Sequence, residues 1–464
     1  MGQRAEATEK AKELVRMAVA CSRNLEPLHR MERSLNHSCL VIGGGLSGMT
    51  AALSLADQGY QVHLIEKDET LGGQARNIFQ TWRGEDVQGY LSQIVREVQS
   101  NPRIELYLNS ELKQVEGSVG NFKSVIKTNG TEKQLEHGIA VIATGASELK
   151  PDQYLYGHDP RVLTGLELDR KLIDRDDSLK SLRSVAFIQC VGSRTKERPY
   201  CSKVCCTHSV LNAIRLKEMN PEMDIFIVYR DMRTYALRED LYREAGAKGV
   251  RFIRYDEQKE LRVTREGKDL QVHFTSSVLN REMEIRPDLL VLATAIVPPR
   301  ENPVANLFKV PLNSDGFFVE AHVKLRPIDF ATDGVFVCGL AHAPKPIDES
   351  IAHGLGASAR AAAVLSQEVL QVGGVVAMVE GERCAACLTC VRVCPYNVPV
   401  INAKGEAEID PAQCKGCGGC VAECPARAIE LMHFRDRQLW AKSQALIRWE
   451  FACLPASQGM RNVE

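Results

Sequence analysis

Two cysteine runs near the C-terminus repeat one spacing, Cys384-x2-Cys387-x2-Cys390-x3-Cys394-Pro395 and Cys414-x2-Cys417-x2-Cys420-x3-Cys424-Pro425. Three thiolates at x2, x2 spacing can grip one cubane cluster, while the fourth, after x3 and before proline, crosses to the neighbouring cluster. The pattern therefore predicts one [4Fe-4S] cluster on Cys384, Cys387, Cys390 and Cys424 and a second on Cys414, Cys417, Cys420 and Cys394. Structural zinc also takes four thiolates, but prefers paired C-x2-C hooks across a longer loop to a duplicated four-cysteine run. Such a module moves single electrons, so the rest of the chain is read as whatever trades electrons with it.

The 464 residues leave room for about three domains. Lys+Arg 58 against Asp+Glu 59 gives a net charge near zero, which invites neither nucleic acid nor an anionic membrane. Of the 16 cysteines, twelve fall in metal-ligand spacings and no signal peptide precedes them, which argues for a reducing cytoplasm rather than a disulfide scaffold. The most apolar span, Ala361 to Val379, is interrupted by Gln367, Glu368 and Gln371 and is too mixed to cross a bilayer.

Residues 1–35 carry apolar side chains at Leu14, Met17, Ala18, Cys21, Leu25 and Leu28, the spacing of one helical stripe. The stripe predicts a helix that packs on the next domain or, by preference, on a partner subunit. Then Cys39-Leu-Val-Ile-Gly43-Gly44-Gly45-Leu46-Ser47-Gly48 runs a short apolar strand into G-x-G-x-x-G and a helix through Ala51, Leu53 and Leu55. Glycines at this turn let a pyrophosphate approach unpaired N–H groups at a helix N-terminus. A second strand, Gln61-Val-His-Leu-Ile-Glu66, ends on an acidic residue placed for a ribose hydroxyl. The motif alone does not separate FAD from NAD.

Three later features favour FAD: Gly72-Gly73 soon after Glu66, Val141-Ile-Ala143-Thr144-Gly145, and Gly334-Val-Phe-Val-Cys338-Gly339 before an alanine-rich helix from Ile351. Over about residues 37–375 these segments resemble the two-dinucleotide, thioredoxin-reductase-like flavoproteins. The resemblance implies an α/β fold in which 36–150 and 301–375 together hold FAD around an inserted domain, 151–300. It places Gly43, Gly45, Leu46, Ser47, Gly48, Glu66, Lys67, Gly73, Gln74, Leu112, Ala143, Thr144, Gly145 and Gly339 at the cofactor. One departure is Leu340, where the family usually has an acidic residue after the glycine, so contacts from that turn are expected from backbone groups.

The inserted domain lacks a nucleotide turn. Its strand Ser184-Val-Ala-Phe-Ile-Gln189 ends in Cys190-Val-Gly-Ser-Arg194, followed by Cys201-x3-Cys205-Cys206. A third iron–sulfur site is the economical reading of these four thiols. Zinc, accidental clustering and a redox disulfide are its competitors, and a Cys205–Cys206 disulfide would be strained. This pattern in a thioredoxin-reductase-like frame, with two ferredoxin motifs behind it and Glu13-Leu-Val-Arg-Met-Ala-Val-Ala20 ahead, resembles the A subunits of heterodisulfide reductase. The resemblance implies FAD, three [4Fe-4S] clusters, no protein nucleophile, and work inside a hetero-oligomeric redox complex with an electron-input module and a low-potential or disulfide-reducing module. It also implies that the extra N-terminal ferredoxin-like region of longer members is missing here.

The ferredoxin-like α+β domain is expected over 376–435 and a tail helix over 436–464, bound to another surface through Trp440, Leu446, Ile447 and Trp449, with Cys453 inert. Two functions stay open, a flavin that splits an electron pair between two acceptors and a plain electron relay of a sulfate- or aromatic-ring-reducing complex. A self-contained NAD(P)H disulfide reductase would need a second glycine turn and a C-x-x-C pair near the flavin. In the resembled family, members thought to split electrons often carry a lysine five positions after the Cys-Cys pair, where this chain has Leu211. His208, three residues earlier, is expected to face another direction.

Overall fold

A computed structural model describes residues 4–28 and 30–452, and these fall into two compact units, one made of the described residues before 35 and after 367, the other of residues 35–367. The tail expectations for Cys453 and for the Trp449 side chain lie outside what is described.

The larger unit contains two parallel five-stranded sheets. In the first the order is Val335–Val337, Ile139–Ile142, Ser38–Ile42, Gln61–Ile65, Ile104–Tyr107. Every residue of Ser38–Ile42 is buried, as a parallel strand covered on both faces requires. Alternation along that strand builds two cores. Cys39 and Val41 pack with the helices Leu46–Asp57 and Ile347–Leu365, while Leu40 and Ile42 pack with Leu112, Phe122 and Ile126 of an antiparallel sheet, Ser110–Ser118, Asn121–Thr128 and Thr131–His137. The second sheet repeats the plan in the order Val162–Thr164, Leu289–Thr294, Ser184–Val191, Asp224–Tyr229, Arg251–Arg254. There Val185 and Phe187 join one core and Ala186 and Ile188 the other. The chain leaves and re-enters the first sheet through Ser147–Glu148 and Ile296–Val297, which pair antiparallel.

In the smaller unit, strand Ala377–Val379 pairs with Ile429–Leu431 and Val400–Ile401 with Ala407–Glu408, around Ala377, Cys390, Ala407, Cys420 and Ile429. Two expectations change here. The helix Arg4–Ser22, expected on the flavin fold or on a partner, lies against the chain's own tail helix Asp436–Ala452, stitched by Gln438 Nε2 to Asn24 O at 2.9 Å and Arg435 to Glu26 at 2.7 Å. The segment Val369–Gly373, read as the end of the flavin fold, instead pairs antiparallel with Arg30–Ser34, so the division falls at 367/368 and not 375/376. An apolar stripe specifies that a helix packs, and leaves its partner open. Among the described residues no helix is long and apolar enough to cross a membrane.

Candidate functional site

The first sheet's strand Ser38–Ile42 delivers the glycine turn to the mouth of a cavity of about 860 Å³. Gly43 has φ +112°, and a Cβ there would lie 2.3 Å from the Ala143 carbonyl oxygen. Gly45 precedes the helix Leu46–Asp57, which carries no side-chain cap, so its first N–H groups are left for an anion. Gly43, Gly45, Leu46, Ser47, Glu66, Lys67, Gly73, Gln74, Leu112, Ala143, Thr144, Gly145 and Gly339 all line this cavity. Gly48 does not: a Cβ there would sit 1.9 Å from Gly43 O, so its role is close packing of helix on strand. The Glu66 carboxylate accepts N–H bonds from Gly44 at 2.6 Å and Asp68 at 3.0 Å, which fixes it at the strand end.

Three cavity residues fit a polar occupant. Among the described residues, the Thr144, Thr207 and Thr294 hydroxyls are buried without a hydrogen-bond partner while their residues line the wall. A buried hydroxyl left unpaired is costly, and a dinucleotide would satisfy it.

The far wall is made by the inserted domain. Its helix Cys205–Met219 contributes Cys205, Thr207, His208 and Leu211 to the cavity. Contrary to the expectation from sequence, His208 and Leu211 face the same space, because residues three apart on a helix share a side. His208 Nε2 lies 2.8 Å from Asp169 Oδ1, and Asp169 also accepts from Asn212 Nδ2 at 2.8 Å and the Phe79 N–H at 2.9 Å. Burial opposes charge on His208, but the Asp169 carboxylate raises it net.

Cys205 also belongs to the four-thiol group. The chain bends sharply around it: Cys190, Gly192, Arg194 and Lys203 all have φ between +58° and +71°. Non-glycine residues hold that conformation only when their surroundings impose it. Cys205 shares a hydrogen bond with Cys206 and is acted on by Cys190 and Cys201, so the four thiols lie in the same region, although among the described residues no three of them are drawn together as a ready metal site. The Lys203 N–H donates to Cys201 Sγ at 3.3 Å. A hydrogen bond from Cys205 pulls the Cys206 thiol below its ordinary value, and Cys205 is held up in return. Burial and the Cys206 charge raise Cys190, against Arg194 and Arg230. Arg233 acts on Cys206 as well. Thiolates at a helix N-terminus among three guanidinium groups suit an anionic cluster.

In the ferredoxin-like module, Cys384, Cys387, Cys390 and Cys424 wall one small cavity, the crossing cysteine among them. Burial raises Cys420 to about 11, with Cys414, Cys394, Cys417 and Cys390 acting in the same direction. N–H groups approach the sulfurs in equivalent pairs: Ala407 to Cys384 and Ala377 to Cys414 at 3.3 and 3.4 Å, Ala428 to Cys424 and Val398 to Cys394 at 3.3 and 3.5 Å. Such bonds tune a cluster's potential. The two loops share backbone conformation but not residues. Ala386 and Leu388 hold φ +50° and +62° where the second loop has Gly416 and Gly418 at +63° and +77°.

Sequence reasoning missed Lys345, which lines the large cavity beside the Gly339 turn, and Arg238, a cavity residue that stacks on Trp82 and pairs with Asp348 at 3.2 Å. Lys345 between two prolines just after the last glycine motif was the available signal.

Comparison with known proteins places these features together. Residues 41–110 match the NAD(P)-binding Rossmann-like domain, and residues 383–429 match the 4Fe-4S dicluster domain. The chain is 32% identical to the A subunit of the H(2):CoB-CoM heterodisulfide,ferredoxin reductase of Methanothermobacter thermautotrophicus, covering 95% of this chain and 81% of that protein. It is 34% identical to an iron-sulfur A subunit of the CoB--CoM heterodisulfide reductase of Methanopyrus kandleri, over 86% of this chain and 75% of that one. Among solved structures, the Lactococcus lactis thioredoxin reductase superposes on 71% of this chain and 99% of its own length, with a TM-score of 0.51 and 18% identity. The fold is thus that of a thioredoxin-reductase-like flavoprotein with an added ferredoxin module.

Proposed function

This chain belongs to the family of heterodisulfide reductase A subunits, which are electron-transferring oxidoreductases, and from that premise we propose that it binds FAD and three [4Fe-4S] clusters and passes electrons among them within a larger cytoplasmic complex. The observation that carries the proposal is the position of Cys205, in the four-thiol group and in the wall of the cavity onto which the glycine turn opens. Bound FAD would supply exchange of two electrons beside clusters that carry one each.

The chain's own residues have distinct parts in this. The turn at Gly43 to Gly45 and the uncapped helix end would hold a pyrophosphate, and Glu66, which lines the same cavity, would meet a ribose hydroxyl. Thr144, Thr207 and Thr294 offer hydroxyls to the occupant. Cys190, Cys201, Cys205 and Cys206 would hold the third cluster, and Arg194, Arg230 and Arg233, which act on Cys190 and Cys206, would offset its negative charge. The ferredoxin-like module provides two more one-electron stations toward partner subunits. The Methanothermobacter relative is named as a subunit of a reductase of H2, CoB-CoM heterodisulfide and ferredoxin, so an electron-input module and a low-potential or disulfide-reducing module are the partners we assign.

Anaerobic reduction of the FAD-loaded chain by reduced ferredoxin tests the assignment. Flavin bleaching that requires Cys201 supports it, and bleaching unchanged in Cys201→Ala contradicts the route through the third cluster. A second reading, a relay in which the flavin does not split electrons, rests on Leu211: it lines the cavity with neither charge nor donor. Crossed one-electron flavin potentials in the wild type would exclude it.

A further inference from the structure

Leu211 leaves its side of the cavity uncharged, but a cation enters from another element. Lys345 lies in the segment between the Gly339 turn and the helix Ile347–Leu365, half-buried in the cavity wall. Its ammonium donates to the Gly339 carbonyl at 2.7 Å and the Ala343 carbonyl at 3.1 Å, and lies 3.4 Å from His342 Nδ1. His342 is itself held by Glu320, whose Oε2 is 2.8 Å from Nε2. Its ring packs on His353 at 5.2 Å between centroids, and His353 Nδ1 accepts the Gly339 N–H at 3.1 Å. The lysine head is therefore fixed, and its hydrogen-bond contacts are neutral acceptors, two carbonyls and an imidazole.

A desolvated ammonium without an anionic partner is costly, and the cost falls when the adjacent space holds negative charge. The nearby carboxylates are engaged elsewhere: Glu349 pairs with Lys203, Asp348 with Arg238, and Glu320 with His342. Burial pulls Lys345 down to about 8, with Lys203 acting in the same direction and Cys338, Glu349 and Glu320 opposing it. A phosphate at the uncapped end of the helix Leu46–Asp57 would offer the same charge, because Gly339, whose carbonyl the lysine holds, packs against Ser47 of that helix. The remainder of the cavity wall includes Cys205, Thr207 and Leu211 of the inserted domain, so a ring lying between the two walls is the other candidate, and a redox titration separates the two.

We propose that Lys345 supplies the positive charge that stabilises the reduced cofactor ring as an anion, the part a lysine at position 211 would otherwise play. The inference rests on the FAD reading above. Two electrons, delivered one at a time by the chain's clusters, together with one proton leave the ring with one negative charge, whereas two electrons and two protons leave it neutral. A fixed ammonium favours the first outcome. His342 and Glu320 act as positioning residues that hold the lysine in place.

The test is an anaerobic redox titration of the full chain, with FAD content measured in parallel, from about pH 6 to about pH 9. The wild type is expected to take up about one proton per two electrons near neutral pH, a measurement that needs no variant. Lys345→Met is expected to retain FAD, to shift the flavin midpoint to more negative potential, and to take up about two protons, while Lys345→Arg keeps the wild-type behaviour. A wild type already taking up two protons overturns the proposal. So does a Lys345→Met protein whose FAD has an unmoved midpoint and proton uptake, even if FAD binds more weakly: that result assigns Lys345 to the carbonyls it holds or to a phosphate. A chain that never retains FAD overturns the functional reading itself.

Discussion

Cys205 and Gly45 line the same cavity, although one opens a helix of the inserted domain and the other ends the dinucleotide turn of the first. The relationship brings one of the four thiols to the wall of the cavity proposed to hold FAD, and on that proposal cavity and thiols form one electron-transfer unit.

In the C-terminal module the crossing ligands should reveal themselves by which cluster they damage. Cys424→Ser should perturb the cluster on Cys384, Cys387 and Cys390, leaving the one nearer in sequence, and Cys394→Ser should do the reverse. Iron analysis with low-temperature spectroscopy of the reduced variants checks this. Loss confined to the run in which the mutated cysteine sits would contradict it.

Much of this site was legible because its determinants are local. The strand, turn and helix at Cys39 to Ala51 are consecutive, and the x2, x2, x3 cysteine spacing encodes its own geometry. What depended on tertiary packing was not legible. The stripe through Leu14 and Met17 announced a helix without naming the tail helix as its partner. His208 faces the cavity with Leu211 because residues three apart share a helix face, a relationship that spacing from the cysteine pair alone does not show. Left-handed backbone in the cysteine loops shows in the sequence at Gly416 and Gly418, but at Ala386 and Leu388 the same conformation is carried by residues that do not advertise it. Lys345 depends on how residues 339–345 fold over the cavity.

The inserted domain should not accept a nicotinamide nucleotide. Where the strand Ser184–Val191 would open a glycine turn, Cys190 stands at φ +62° in place of the first glycine such a cradle uses. NADH and NADPH should leave the flavin of the isolated chain oxidised in anaerobic absorbance measurements. Rapid stoichiometric bleaching by either would contradict this.

Leu211→Lys should add a second charge to the cavity and raise the flavin midpoint, at a stability cost of about 1–3 kcal/mol for burying an ammonium at a site now 7% exposed. Redox titration and thermal unfolding separate the two effects. An unchanged midpoint would remove position 211 from flavin tuning.

His137 is fully buried, with one ring nitrogen 2.8 Å from Ser124 Oγ and the other 2.8 Å from Ile139 O. Burial lowers its pKa from 6.5 to about 3. Between those values the unfolded chain binds a proton that the folded chain refuses, so stability falls as pH drops through the window, by on the order of a few kcal/mol. His137→Gln should flatten the acid limb of the unfolding midpoint against pH. An equally steep limb in the variant would contradict the assignment.

Iron content tests the central claim, a third cluster against the cofactor cavity. Anaerobically purified protein should carry about twelve irons, and Cys201→Ala should lose about a third of them while keeping FAD. About eight irons in the wild type, or stoichiometric zinc, would contradict it.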